Sequence, residues 1–510
     1  MHRRTLLALA LLSVTLRVVA QQDAPPVVAP SPAQAAATTE GSPPASSEPD
    51  ARAELASLAT PGGLTAADAA SRAVASAPSM ERARLAVRAA EAGARQAWQG
   101  FFPQLEVSAR YTRLSRITQP SFGGVGFDDE QLAMARAAVA GVDDPEARAL
   151  WGSLLDVFGS SSSFSFPVLL NQYALRASAT LPVSDYLLTV LPAYRAANLA
   201  AEAQRLQVAV EERTIALRAR EAFYELARAR GGLGVAEKAL EQVRAHRVRV
   251  EALVEAGAAA RVELLRVRAQ EARARVAVAQ ARGGVAIAER ALRLLMHAPS
   301  DEPIVLGEDF STGPAPLAGS LEELTARGLR DRPELAAMER MVEARERSIQ
   351  AELGRQYPQL LLQANYDLAN PNNRIIPQQQ EFRGTWDVSV LLRFSPNEMG
   401  AARQRAEQAR AALLEVRAQM ESVRDAVRLE VARAYEELQA ARLALQAAEV
   451  GLSAAQESYR VRFSELEAGA AVSSDLVDAE AELTQARLQL LNAAIGVRLA
   501  RARLGQAIGE

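Results

Sequence analysis

Cysteine is absent from the 510-residue chain, and histidine occurs only three times. The absence of cysteine excludes disulfides, thiolate catalysis, thiolate metal sites and lipidation of an N-terminal cysteine. His2, His246 and His297 lie far apart in the sequence, so they do not form a histidine cluster. No Gly-rich phosphate loop, HExxH motif or catalytic triad pattern is present. The sequence therefore predicts neither an enzyme nor a cofactor-binding protein.

An excess of charge of one sign is also missing. The chain has 58 basic and 61 acidic residues and a net charge of −3. A nucleic-acid-binding protein would carry a basic excess, so we expect no nucleic-acid partner. Aromatic residues make up only 5 %, whereas Ala, Arg, Glu and Leu dominate long stretches. That composition is typical of long, closely packed helices.

A membrane-spanning helix needs about 20 consecutive apolar residues, and no such run occurs after the N-terminal segment. Residues 1–20 have a positively charged start at His2, Arg3 and Arg4, continue with an apolar stretch and end on Val18-Val19-Ala20. This pattern predicts a signal peptide. The alternative is an uncleaved anchor, but the apolar run is too short to span a ~30 Å hydrocarbon core. Residues 21–62 are rich in Pro, Ala, Ser and Gly and read as a flexible leader.

The rest of the chain contains a duplication. Phe101-Phe102-Pro103-Gln104-Leu105 is repeated as Gln356-Tyr357-Pro358-Gln359-Leu360, 255 residues later. Glu255-Ala256-Gly257-Ala258 is repeated as Glu467-Ala468-Gly469-Ala470, 212 residues later. The drop in spacing places 43 extra residues in the first copy. The chain then divides into a first repeat, a linker or equatorial segment, and a second repeat: 63–299, 300–320 and 321–510.

Four runs alternate between apolar and polar residues, as strands with one apolar face do. The predicted strands are 103–112 and 172–182, separated by a surface loop at 113–171, and then 358–368 and 385–395. Each run is close to the 9–11 residues of a tilted transmembrane strand. A soluble sheet packed on one face is the alternative interpretation.

Four strands are too few for a closed barrel, because spanning barrels begin at 8 strands. An open sheet would leave unpaired backbone groups in lipid, which is prohibitive. If these strands span a membrane, the protein must oligomerise, and three copies would supply twelve strands.

Two helical segments are too long for a compact globule. Residues 193–256 would extend ~96 Å and residues 397–466 ~105 Å. Their apolar residues recur every three or four positions, which predicts left-handed coiled-coil packing. Gly257 and Gly469 then reverse the chain into returning helices, so each repeat forms an antiparallel hairpin.

Acidic residues follow the second predicted turn. Asp475 and Asp478 are three residues apart at the start of a helix, and Glu263 occupies the first position in the other repeat. One interpretation is that acids at a helix start favour the macrodipole. The other is a ring of carboxylates around a pore mouth, which would concentrate cations.

This ordered set of features resembles the TolC-type outer membrane factor family: the Pro-Gln-Leu strand starts, the duplicated helix-strand-strand-helix order and the paired Gly turns. The resemblance covers about residues 64–510. It implies a trimer with a 12-stranded β-barrel in the lipid of the outer membrane and a long coiled-coil α-barrel in the periplasm. It also implies docking to a periplasmic adaptor (membrane fusion) protein and an inner-membrane RND or ABC transporter.

The resemblance further assigns candidate site residues. Gly257 and Gly469 match the tip glycines that meet the adaptor, and Asp475 and Asp478 match the pore-entrance acids. The family tip often reads Val-Gly-Leu, whereas both tips here read Ala-Gly-Ala. Leu466 and Ala471 stand where TolC carries a Tyr and an Arg that help to hold the entrance shut.

The expected function is a passive export duct in a tripartite efflux or type I secretion system of a Gram-negative cell. The alternative is a soluble periplasmic coiled-coil scaffold or adaptor-like protein. Four strands of membrane-spanning length favour the duct, because a scaffold has no need of them.

Overall fold

The structure is a computed structural model. It describes residues 55–116, 129–159, 169–315, 317–376, 378–468, 470 and 472–510, which all belong to one structural unit, Asp50–Glu510. The predicted signal peptide, most of the leader and Gly469 lie outside the described residues.

The two repeats have the same order of elements. The first contains α1 (Ala66–Ser76), α2 (Pro78–Gln99), β1 (Gln104–Arg113), α3 (Asp129–Ala140), α4 (Pro145–Gly159), β2 (Asn171–Pro182), a π-helical turn (Tyr186–Val190), α5 (Leu191–Glu255) and α6 (Arg261–Met296). The second contains α7 (Leu321–Asp331), α8 (Pro333–Gly354), β3 (Gln359–Asn370), β4 (Arg383–Arg393), α9 (Pro396–Glu467) and α10 (Ser473–Ala507). The insertion between β1 and β2 carries α3 and α4, which have no counterpart in the second repeat.

Helix starts are duplicated together with their caps. Thr65 caps α1 in a capping box with Asp68, and Ser320 caps α7 in the same way with Glu323. Each residue of the first box lies 255 residues before its counterpart in the second box. Pro occupies the first position of both α2 and α8, where its missing N–H costs no helical hydrogen bond. The two repeats therefore share the interactions that start these helices.

The long helices α5 and α9 have 65 and 72 residues. Their buried positions follow the predicted spacing, as the sequence Val427, Val431, Ala434 and Leu438 on α9 shows. One core cluster joins α1, α5, α6 and α10 around Phe223, and another joins α7, α8, α9 and α10. Small Ala side chains in both clusters let the helix backbones approach closely.

The strands form one antiparallel sheet in the order β1-β2-β3-β4. Its register pairs Arg176 of β2 with Asp367 of β3, and Asp367 with Thr385 of β4. One face is apolar and exposed: Leu105 is 79 % and Trp386 74 % accessible. Within the described residues, the outer edges of β1 and β4 have no strand partner.

The linker packs back onto the helices. Leu64 forms a parallel bridge with Leu306, and the Arg498 guanidinium is buried against the linker. Arg498 Nε donates to Glu308 Oε1 at 2.9 Å, and Arg498 lies over the Phe310 ring. These contacts attach residues 304–312 to the end of α10.

Candidate functional site

The first hairpin tip lies between α5 and α6. Gly257 adopts a positive φ of 73°, a conformation that glycine reaches without steric cost. Ala258 N donates to Leu253 O at 2.8 Å, which satisfies a carbonyl at the end of α5. The tip is therefore a tight, glycine-dependent reversal, as the sequence predicted.

The second tip lies between α9 and α10. Ala470 N donates to Glu465 O at 2.8 Å, the same bond as in the first tip and 212 residues further along the chain. Gly469 itself lies outside the described residues. The hydrogen bond beside it shows that the two tips end their long helices in the same way.

The three predicted entrance acids differ in their surroundings. Asp475 is half-buried in the first turn of α10, and Asp478 is exposed one turn later. Neither forms an ion pair with another residue of the described segments. Glu263, on the first turn of α6, pairs with Arg266 at 2.8 Å. The second tip therefore carries two carboxylates without an ion-pair partner among the described residues, whereas the charge of Glu263 is offset by Arg266.

An ion-pair network that the sequence analysis did not identify ties α5 to α6 above the first tip. Glu271, 6 % exposed, lies 2.7 Å from Arg275, 2.9 Å from Arg247 and 3.3 Å from Arg244. Arg247 also pairs with Glu251 at 2.7 Å. Burial alone would raise the pKa of the Glu271 carboxyl, but the surrounding guanidinium groups outweigh burial and lower that pKa. The network holds the two helices together through charge.

A second cluster that the sequence analysis missed lies between the two hairpins. Glu480 of α10 is 4 % exposed, and its Oε2 accepts no hydrogen bond from the described residues. Burial raises the pKa of the Glu480 carboxyl to about 7, and the Arg249 guanidinium of α5 offsets this only in part. Arg249 lies over the Phe463 ring of α9 at 4.6 Å. The signal for this cluster in the sequence is a charged residue inside the apolar stripe that contains Leu476 and Leu483.

Among the described residues, no group of three or more His, Asp or Glu side chains is placed to hold a metal ion. Among the helices that these residues form, none combines the length and the apolar character needed to cross a membrane.

The second repeat is similar to a known protein family. Residues 325–510 match the model of the outer membrane efflux protein family. The chain carries an outer membrane efflux protein domain. No curated protein matches the chain.

The fold of the efflux domain and of the preceding repeat is that of solved outer-membrane channels. A structure of CusC, described in connection with transmembrane channel formation, has a TM-score of 0.69 at 16 % identity over 86 % of this chain and 91 % of its own. The open-state MtrE outer membrane channel of Neisseria gonorrhoeae has a TM-score of 0.66 at 17 % identity, covering 87 % of this chain and 88 % of its own. VceC of Vibrio cholerae, an outer membrane protein, has a TM-score of 0.64 at 16 % identity over 90 % and 96 %.

These findings confirm the predicted fold class and the family resemblance, and they agree with an outer-membrane location. The descriptions of CusC and MtrE both refer to channels. The family match and the fold together support an efflux channel role for the efflux domain.

Proposed function

We propose that three copies of this chain form a passive efflux duct across the outer membrane and the periplasm. The observation that carries the proposal is the four-stranded sheet, which has an exposed apolar face and two edges without a strand partner among the described residues. Lipid would cover the apolar face, and pairing of β1 of one copy with β4 of the next would remove both edges.

The energetic argument favours assembly in a membrane over a soluble scaffold. Val107 is 73 % and Val390 69 % accessible in the isolated chain, and Trp386 is exposed to a similar degree. Each large apolar side chain left in water forgoes about 1.5–3 kcal/mol relative to full burial. Unpaired edge strands would in addition promote aggregation of a soluble protein.

The helical hairpins supply the periplasmic part of the proposed duct. At 1.5 Å per residue, α5 and α9 extend roughly 100 Å from the sheet towards the tips. We propose that Gly257 and Gly469 mark the surface that meets a periplasmic adaptor, which in turn binds an inner-membrane RND or ABC transporter. Asp475 and Asp478 of three copies would form the acidic entrance, with Glu263 contributing less because of its pairing with Arg266.

The absence of cysteine makes a direct test of the barrel possible. Ser108 of β1 and Ser389 of β4 both lie on the polar face, at opposite edges of the sheet. Three inter-strand spacings of about 4.8 Å separate the edges. A disulfide between cysteines at these positions therefore cannot form within one chain, since it requires Cα atoms within about 7 Å.

We expect the variant S108C/S389C, or S108C/T385C where the stagger of the barrel shifts the pairing, to oxidise to covalent trimers in the outer-membrane fraction. Each single-cysteine variant is the control and can give no more than dimers. Unboiled wild-type protein should migrate near three times the monomer mass. A monomeric protein in the periplasmic fraction, with no crosslink at either pair, would overturn the channel and leave the soluble scaffold.

A further inference from the structure

A charge cluster lies on the polar face of the sheet, far from the hairpin tips. Arg176 Nε donates to Asp367 Oδ1 at 2.5 Å, which joins β2 to β3. Arg374 Nη2 donates to Asp387 Oδ1 at 2.5 Å and lies 3.9 Å from Asp367 Oδ2. Asn365 Nδ2 completes the contacts of Asp387 at 3.0 Å. Two arginines and two aspartates are thus combined in a charge-balanced group.

Arg374 belongs to the loop between β3 and β4, whose conformation is fixed by Asn372. The Asn372 side chain is buried, and its Nδ2 donates to Arg383 O at 2.9 Å and to Thr385 Oγ1 at 3.2 Å. Its Oδ1 accepts a hydrogen bond from Arg374 N at 3.0 Å. The loop is therefore attached to the start of β4, and the backbone of Arg374 is held beside Asn372.

The side of the sheet on which the loop lies follows from the strand alternation. Asp367 and Asp387 occupy polar-face positions, and their neighbours Leu368 and Trp386 point to the opposite, apolar face. Because Arg374 reaches both aspartates, its side chain lies over the polar face of the sheet. The helices join the other ends of β3 and β4, so the loop lies at the end of the sheet that is farthest from them.

We propose that Arg374 holds this loop across the outer mouth of the lumen and sets both the width and the ion selectivity of that mouth. The proposal rests on the proposed function, in which the polar face lines the lumen of a trimer. Arg374 is a positioning residue through its tether to Asp387, and it is a selectivity residue because it balances one of the two carboxylates. Its removal leaves three uncompensated carboxylates per trimer and frees three loops.

The test is single-channel recording of the purified full-length protein in planar lipid bilayers. R374A should raise the conductance by roughly half or more and shift the cation-to-anion permeability ratio about twofold towards cations. D387N should also raise the conductance, because it breaks the same tether, but it should shift the ratio towards anions. The double variant R374D/D387R re-forms the pair in reverse and should return the conductance to the wild-type value.

Arg393 provides a matched control, because it lies on the polar face of β4, the strand that carries Asp387, at the end near the helices, and has no ion-pair partner among the described residues. R393A should shift selectivity towards cations without raising the conductance. All variants are first checked for the heat-modifiable trimer band.

Equal conductance of R374A and R393A, with both trimers intact, would refute the proposal that Arg374 holds the loop across the outer mouth. The proposed channel function would be unaffected by that result. Wild-type trimers that form no channel at all would instead overturn the proposed function, and this inference with it.

Discussion

The buried carboxyl of Glu480 leads to a pH-dependent prediction for the contact between the two hairpins. Its pKa rises from an ordinary value of 4.5 to about 7, chiefly through burial, with partial relief from Arg249. The same Arg249 guanidinium acts on His246 of α5, which is 2 % exposed and whose pKa is lowered by burial and then by Arg249. The perturbation is Glu480→Gln, which keeps the shape and removes the charge.

The sign follows from proton binding. Between pH 4.5 and 7 the packed state holds a proton on Glu480 that the opened state releases, so raising the pH over this range destabilises the packed state. A pKa of about 7 in the packed state, against 4.5 in the opened state, corresponds to about 3 kcal/mol of destabilisation of the packed state. This destabilisation is complete above pH 7 and absent below pH 4.5. Glu480→Gln removes the titratable carboxyl and therefore avoids this destabilisation. The variant should be more stable than wild type at pH 8 and nearly as stable as wild type at pH 4.5.

The assay is amide hydrogen exchange of residues 474–486, compared between wild type and variant at each pH. This comparison cancels the intrinsic pH dependence of exchange and the common contribution of His246. At pH 8 the wild type should exchange up to ~10²-fold faster, and the ratio should approach one on acidification. Residues 495–505 of the same helix serve as the control segment. A wild type that is better protected than the variant at pH 8 would show that ionised Glu480 forms a favourable pair with Arg249, which would refute the reasoning.

Two further predictions concern core packing and the entrance. A Cβ on Gly231 would lie 2.5 Å from Leu491 Cδ1, whereas one on Gly234 would meet no atom within 4 Å. Gly231→Ala should therefore be less stable than Gly234→Ala by about 1–3 kcal/mol in denaturant unfolding, since both gain the same helix propensity; equal stabilities would contradict this. Asp478→Ala should weaken block of the channel by polyvalent cations in bilayer recordings, while Glu263→Ala should change it little because Glu263 pairs with Arg266. Unchanged block in Asp478→Ala would remove this residue from the entrance ring.

Sequence reasoning predicted those parts of the fold in which one physical requirement decides the structure. Alternation of apolar residues defined the four strands, because a half-buried strand has a period of two. The observed bounds of β1, Gln104–Arg113, differ by one residue from the predicted 103–112. The spacing of Val427, Val431, Ala434 and Leu438 defined the buried stripe of α9 for a comparable reason.

The polar clusters could not be predicted in the same way, since they depend on how distant segments meet. Glu271 is one of many acidic residues on arginine-rich helices, and nothing in its local sequence shows that three guanidinium groups surround it. The Arg374 pairing with Asp387 depends on the path of a loop that hydrogen bonds of Asn372 attach to the start of β4, and nothing in the local sequence shows that path. The entrance role of Asp475 and Asp478 stays a prediction, because it depends on the arrangement of three copies.

The two repeats keep the features that shape the backbone and differ in those that carry charge. The capping boxes, the helix-initiating prolines and the tip hydrogen bonds recur at spacings of 255 or 212, as does the ion pair of Glu91 with Arg205, which returns as Glu346 with Arg417. The ion-pair network of the first hairpin does not recur, because Leu483 stands at the position of Glu271 and Tyr459 at that of Arg247. Near its tip the first hairpin therefore combines an apolar cluster of Val243, Val250, Leu264 and Val267 with ion pairs around Glu271. Because salt screens ion pairs and does not weaken apolar contact, higher ionic strength should weaken only the charged part of this helix contact.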